Sequence, residues 1–183
     1  VVALDPVVSS EVVGNELSVD VKISNVANLH YWDFKAFYET DCLDAIDVVE
    51  GPFLKSFADS LGTQFSVIQI NDAYNATHGL VWALCLMNDW QASATGSGVL
   101  ATIKFRGTAA GMSHMCLAFP GAAYPVILRD RYANLIPCTT TAGVDALTMG
   151  PESVPLDVDI DVGTLYFAGE QVEFYILTTY RGI

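Results

Sequence analysis

Apolar and polar residues alternate along most of this chain. In ELSVDVKISNV, Leu17, Val19, Val21 and Ile23 fall on one side and polar residues on the other. That period of two is the mark of a half-buried β-strand. YWDFKAFYET follows after ANLH, and FSVIQIND predicts a further strand. GLVWALCLM is apolar on both faces, as a central strand is. GVLATIKFRG comes after the turn-like SATGSG, then SHMCLAF and YPVILRD, separated by PGAA. RDRYANLIP reads as a hairpin and VDALTM as a final strand of the domain. About nine strands at this short, regular spacing predict an all-β sandwich. The exception is GPFLKSFADSLG, where Gly51-Pro52 opens one short helix or an irregular loop and Gly62 ends it.

The alternation stops at MGPESVPL, which carries two prolines and no period. The chain therefore divides into a domain over residues 1–149, a linker over 150–156 and a C-terminal β tail over 157–183. The tail reads as a short strand at Leu165 and Tyr166, a turn at Gly169-Glu170 and a long strand from Val172 to Tyr180. Val172, Phe174, Ile176 and Tyr180 share one face; Tyr175 and Leu177 lie on the other. Two strands cannot bury a core of their own. Three arrangements would satisfy them: a longer multidomain chain, a fold back onto the same domain, or pairing with a neighbouring subunit. An ordinary edge strand carries more charge than this one. The two-faced pattern therefore favours donation to an adjacent subunit, and a head-to-tail contact that does not close gives an open polymer.

Composition narrows the classes. With 183 residues, 52% hydrophobic and 16% charged, the chain has the apolar area for a domain plus an appendage and is not disordered. Its apolar runs are too short and interrupted to span a bilayer. Val1 already opens a strand-like pattern, so a secretory leader is expected to have been removed. The net charge of -13, with only 8 Lys plus Arg, repels phosphate backbones and anionic lipid. Nucleic-acid binding is thus excluded as a function class. The acidic surface reads first as a solubility device and second as an attraction for divalent cations or basic partners.

Cys42, Cys85, Cys116 and Cys138 form no CxxC pair, which argues against a zinc ribbon. An even, widely spaced set predicts two disulfides and an oxidising compartment, with the pairing left open. The sequon Asn75-Ala76-Thr77 sits in the polar stretch NDAYNATHG and points the same way, to a secreted glycoprotein. His30, His78 and His114 share no ligand spacing. GSG at Gly96 lacks the GxSxG frame, and RGTAAGMS lacks both GxGxxG and a following Lys, so neither a hydrolase elbow nor a phosphate cradle is indicated. No catalytic set emerges, and the chain reads as a non-enzyme without a cofactor. Asp157, Asp159 and Asp161 line one side of an extended segment; they are a candidate Ca²⁺ set, or a charged guard on a strand edge. Tyr31 and Trp32 read as core residues rather than a sugar platform.

Two stretches carry a resemblance. VKISNVANLHYWDFKAFYETDCLDAIDVVEGPFL resembles the centre of cohesin domains, with Asn25-Val26 ending a strand, Phe34 to Tyr38 in an aromatic-rich strand, then Asp41, Leu43 and Val48-Val49. GSGVLATIKFRGTAAGMSHMCLAF is similar to the cohesin Gly-Ser-Gly-x-Leu-Ala-x-Ile-x-Phe pattern at Gly96-Ser97-Gly98 and Leu100 to Phe105. The resemblance implies a nine-stranded jelly-roll β-sandwich over roughly residues 1–149. It also implies that the strand near Trp32 lies between the Leu80–Met87 strand and the strand starting at Met115. Cys85 and Cys116 would then be two strands apart. The resemblance so implies Cys42–Cys85 with Cys116–Cys138, or Cys42–Cys116 with Cys85–Cys138. Cohesins bind dockerins through one sheet face; no position-by-position match to a dockerin-binding set is found here. The acidic, cysteine-bearing sequence looks more like cohesin-like modules of prokaryotic, often archaeal, surface proteins without a cellulosome. The tail resembles the start of an immunoglobulin-like or macroglobulin-type module. Together these readings predict a structural subunit of an extracellular filament or cell-surface assembly. It would polymerise by donating Leu165, Tyr166 and Val172 to Tyr180 to another copy of itself or an adjoining module. The alternative is a binding module for a dockerin-like protein or a carbohydrate.

Overall fold

A computed structural model describes residues 1–6, 8–117, 126–141 and 143–149 of the chain. The linker and tail expectations, with Asp157, Asp159, Asp161, Leu165, Tyr166, Val172, Phe174, Ile176 and Tyr180, lie outside the described residues. Among the described residues, eleven strands and one short helix follow in order: β1 (Val2–Asp5), β2 (Val8–Val12), β3 (Glu16–Leu29), β4 (Tyr31–Glu39), β5 (Leu43–Glu50), α1 (Pro52–Lys55), β6 (Thr63–Asn71), β7 (His78–Met87), β8 (Ala94–Gly107), β9 (Gly111–Cys116), β10 (Val126–Arg129) and β11 (Val144–Met149).

They form two sheets. The smaller runs β1-β3-β8-β5, and the larger runs β2-β11-β9-β4-β7-β6, with β10 beside β4. The expected sandwich is present, and β4 lies between β7 and β9 as the cohesin resemblance implies. All pairings are antiparallel except β2 with β11, where Val8 to Val12 run parallel to Asp145 to Met149. The strands exceed the expected number because Val2–Val12 contributes β1 to one sheet and β2 to the other, and because β5 is a full strand. Conversely, RDRYANLIP makes only one bridge, Arg129 to Leu135. Asp130 accepts from the backbone N–H groups of Tyr132 and Asn134, and this side-chain cap holds a tight turn in place of a second hairpin strand.

Leu17, Val19, Val21 and Ile23 of β3 point inward, opposite Trp32, Phe34, Ala36 and Tyr38 of β4, and all are buried. Trp32 stacks on Phe34 with ring centres 5.5 Å apart, which confirms it as core. Burial of this interdigitated apolar layer is the main driving force for the sandwich. The helix follows its sequence signals: Gly51 caps it, Pro52 occupies its first turn, and Phe53 and Leu54 are buried. Gly51 is required for close approach, because a Cβ there would lie 2.3 Å from the Val99 carbonyl oxygen.

No disulfide joins the cysteines; all four are thiols. The register explains why the expected pairings fail. Cys42 Sγ lies 3.5 Å from where a Gly111 Cβ would be, five residues along β9 from Cys116. At about 3.3 Å per residue that separates Cys42 from Cys116 by more than about 10 Å, beyond the reach of a disulfide. Cys85 sits opposite Trp32 and Phe65 and touches Glu50, the last residue of β5, whereas Cys42 immediately precedes the first. The length of β5 therefore separates Cys42 from Cys85.

Candidate binding face

The two outer faces of the sandwich differ in chemistry. On the smaller sheet, Glu16, Asp20 and Lys22 of β3 stand opposite Arg106, Thr102 and Val99 of β8. Ion pairs cross the strands at Lys22–Asp5, Lys104–Asp47 and Arg106–Glu16, and Thr102 donates to Asp20 at 2.6 Å. These groups satisfy one another at a wet surface, as the polar face of an antiparallel sheet does.

The larger sheet carries a pair of this kind, His114–Asp145, between β9 and β11, and Glu39 of β4 accepts from the His114 N–H; among the described residues no Lys–carboxylate or Arg–carboxylate pair crosses its β10, β4, β7 and β6. Its outward residues fall in rows across β10, β4, β7 and β6: Ile127, Asp33, Leu84 and Ser66; then Lys35, Trp82 and Gln69; then Phe37, Leu80 and Asn71. Leu86 extends the apolar surface beside Tyr31. Leu84, Leu86 and Trp82 are half-buried on a face that no described strand or helix covers. Phe37 is buried although it points away from the core, because the ring of Tyr74 packs edge-on against it at 5.4 Å.

A fixed polar group lies at the centre of this surface. Asp33 is buried, accepting from Trp82 Nε1 at 2.9 Å and from the Tyr31 hydroxyl at 3.1 Å. Lys35 Nζ lies 4.5 Å from the Trp82 ring centre, within cation–π range. Partial burial and the Asp33 carboxylate raise the Tyr31 hydroxyl to about 12, so it stays a donor at physiological pH. Asp33 thereby locks two aromatic side chains into single orientations, and a rigid aromatic surface loses little entropy when it is covered.

Above this surface the β6–β7 loop is held tightly. Tyr38 points inward, packs edge-on to Phe105 and donates its hydroxyl to Asp72. Burial and Asp72 push that hydroxyl far above the ordinary tyrosine value. The sequon follows in an Asx turn: Asn75 Oδ1 accepts from the N–H groups of Thr77 at 2.9 Å and His78 at 2.8 Å. Asn75 is exposed, as a glycan acceptor must be. Cys85 lies on the opposite, inner side of β7. Burial and the adjacent Glu50 carboxylate push its thiol far up, and such a thiol is inert.

No family model and no curated protein matches this chain. Solved structures do. A type II cohesin domain from the cellulosome of Acetivibrio cellulolyticus matches over 79% of this chain and 93% of its own, with a TM-score of 0.63 at 14% identity. The fold is cohesin-like. A non-cellulosomal cohesin from the hyperthermophilic archaeon Archaeoglobus fulgidus matches over 81% of this chain and 89% of its own, with a TM-score of 0.54 at 16% identity. A type I cohesin–dockerin complex from Clostridium thermocellum gives a match over 81% of this chain and 97% of the other, with a TM-score of 0.58 at 16% identity. The cohesin-like sandwich and the place of β4 between β7 and β9 were thus foreseen; the residues of the outer face were not. Their signal was the second apolar face of GLVWALCLM, which reads equally as burial on both sides.

Proposed function

We propose that this chain is a protein-binding module of an extracellular or cell-surface protein, with no catalysis of its own. Its docking surface is the outer face of the larger sheet, and a dockerin-like domain is the partner class. One observation carries the reading: the smaller sheet is closed by its own ion pairs, while the β10–β4–β7–β6 part of the larger presents Trp82, Leu84 and Leu86 around an ordered Asp33–Tyr31–Lys35 group. Aromatic anchors held rigid beside a few polar groups are what a specific interface uses. The solved cohesin–dockerin complexes support the partner class. A carbohydrate is a poorer fit, since Trp82 is half-buried beneath Lys35 and Trp32 belongs to the core.

The test is calorimetric titration of the full chain with Ca²⁺-loaded type I and type II dockerins. Binding of one class, weakened at least about tenfold by Trp82→Ala and by Leu84→Asp, is the expected result; truncation of a central aromatic anchor typically costs about 1–3 kcal/mol. No binding to either class removes the dockerin assignment. Binding that ignores both substitutions moves the interface to another face.

A second reading concerns the tail. The core of the sandwich draws on residues from Val2 to Ala146, and among the described residues no buried side-chain polar atom is unsatisfied. The sequence Val172–Tyr180, apolar on both faces, suits pairing with a neighbouring subunit, which would make the chain a unit of a filament or surface layer.

A further inference from the structure

Apart from the short β10, which pairs with β4 alone, the two sheets end among the described residues in four edge strands, β1 and β5 in the smaller and β2 and β6 in the larger. Exposed edges invite strand addition, and natural proteins guard them with charge. Three of these edges follow the rule. Asp5 in β1 pairs with Lys22, β2 carries Glu11, and β5 carries Asp44, Asp47 and Glu50. The fourth does not. β6, TQFSVIQIN, holds neither a charge nor a proline across its nine residues, in a chain of net charge -13. Its backbone ladder runs to β7 alone. A bulge between Val67 and Gln69 leaves Val67 and Ile68 open to solvent at 39% and 47% of their surface.

The apolar exposure extends beyond the strand. Val49 of β5, together with Phe57 and Leu61 in the connection from α1 to β6, is also exposed. Phe57 and Leu61 lie in the connection that runs directly into β6, whereas Val49, opposite Thr102, faces outward from the smaller sheet. A strand added to β6 would therefore find main-chain partners in the sheet and the exposed apolar side chains of Val67 and Ile68. It would need apolar residues on both faces, little charge and a length near that of β6.

We propose that the free edge of β6 accepts the segment Val172–Tyr180 of a second copy of this chain. That segment matches β6 in length, carries Val172, Phe174, Ile176 and Tyr180 on one face with Tyr175 and Leu177 on the other, and has one charge, Glu173. β6 itself sets no charged side chain against Glu173, whereas an added strand at β5 would meet the carboxylates of Asp44 and Asp47. Because acceptor and donor are different surfaces, each added copy leaves one of each unused, and the contact propagates. The proposal rests on the reading of the tail as a donated strand and adds its acceptor.

Sedimentation velocity on the full chain tests it with two variants. Val67→Lys/Ile68→Lys closes the acceptor with exposed substitutions that leave the core untouched. Phe174→Asp/Ile176→Asp disables the donor. The wild-type chain is expected to form species larger than a dimer, and each variant alone to sediment as a monomer. An equimolar mixture of the two is expected to give a one-to-one dimer, since one good edge and one good tail remain. Hydrogen exchange supplies the check that does not depend on the lysine variant: amides of 63–71 should exchange at least about tenfold more slowly in the wild-type assembly than in the donor variant. If the wild type assembles but Val67→Lys/Ile68→Lys does too, without β6 protection, the acceptor is wrong and the tail reading stands. A wild type that remains monomeric, and a mixture that gives no dimer, overturn donation between copies altogether.

Discussion

Gly79 lies on the inner side of β7 at its start, opposite Tyr38, and its substitution by alanine probes how Tyr38 and the loop it anchors are held. A Cβ at this position would lie 2.2 Å from Tyr38 Cζ and 2.4 Å from its hydroxyl oxygen. Tyr38 cannot swing aside cheaply. It is 1% exposed, its ring packs on Phe105 at 5.1 Å, and its hydroxyl is held by Asp72 and by the Ala45 N–H. Overpacking a dense core costs about 1–3 kcal/mol. Displacing the hydroxyl forfeits further hydrogen bonds at about 1 kcal/mol each. Gly79→Ala should therefore cost about 2–4 kcal/mol. For a domain of this size each kcal/mol is worth about 2–4 °C, so Tm should fall by about 5–15 °C in calorimetry. The cause is checked by a double-mutant cycle. In a Tyr38→Leu background the ring atoms that meet the new methyl are gone, and Gly79→Ala should cost under about 1 kcal/mol. An equal loss in both backgrounds, or a single variant within about 1 °C of wild type, would refute the reasoning.

Other outcomes follow from the same geometry. Trp82→Phe removes one donor to the buried Asp33 carboxylate and should destabilise by about 1–3 kcal/mol in denaturant unfolding, while Lys35→Met should stay within about 1 kcal/mol. Iodoacetamide mass mapping at pH 8 should leave Cys85 unmodified in the folded chain and modify it in urea, because burial and Glu50 keep it a neutral thiol. The raised thiol value also sets a pH dependence. A folded-state value above the unfolded one contributes stability that is present below about pH 8.5 and is lost as pH rises past it. Denaturation midpoints measured from pH 8 to 10 should thus fall, and fall less in Cys85→Ala. Expression in a glycosylating host should add one glycan, abolished by Thr77→Ala, with Tm changed by less than about 2 °C because Asn75 is exposed.

The sandwich was legible where one face is wet and the other dry. In β3 the alternation is clean over Leu17, Val19, Val21 and Ile23, and those residues are buried as the period requires. The Gly51-Pro52 start of α1 was legible for a local reason, since cap geometry depends on few residues. β5 was harder: a bulge between Ala45 and Asp47 breaks its period, and its three carboxylates resemble a loop. The cysteines show a different limit. Their number and spacing suggested bridges, but only the register places Cys42 and Cys85 toward opposite ends of β5. The outer face fails for a related reason. Asp33 and Phe37 alternate correctly with Trp32 and Phe34, yet both are buried from the outside by Trp82, Tyr31 and Tyr74. Alternation reports that a strand has two sides and does not say what covers each.

The parallel pairing of β2 with β11 has a mechanical consequence. The chain enters this pair at the start of β2 and leaves at the end of β11, at opposite ends of the same ladder. Val2 reinforces it, lying parallel to the segment around Thr140, with its N–H on Thr139 and its carbonyl on Thr141. Tension between the two ends of the domain therefore pulls these strands past each other. The hydrogen bonds are loaded together and cannot open one at a time as in a peeled hairpin. A domain pulled at the start of β2 and the end of β11 is thus clamped by these two strands, and its rupture should be set by that short parallel ladder rather than by the size of its core.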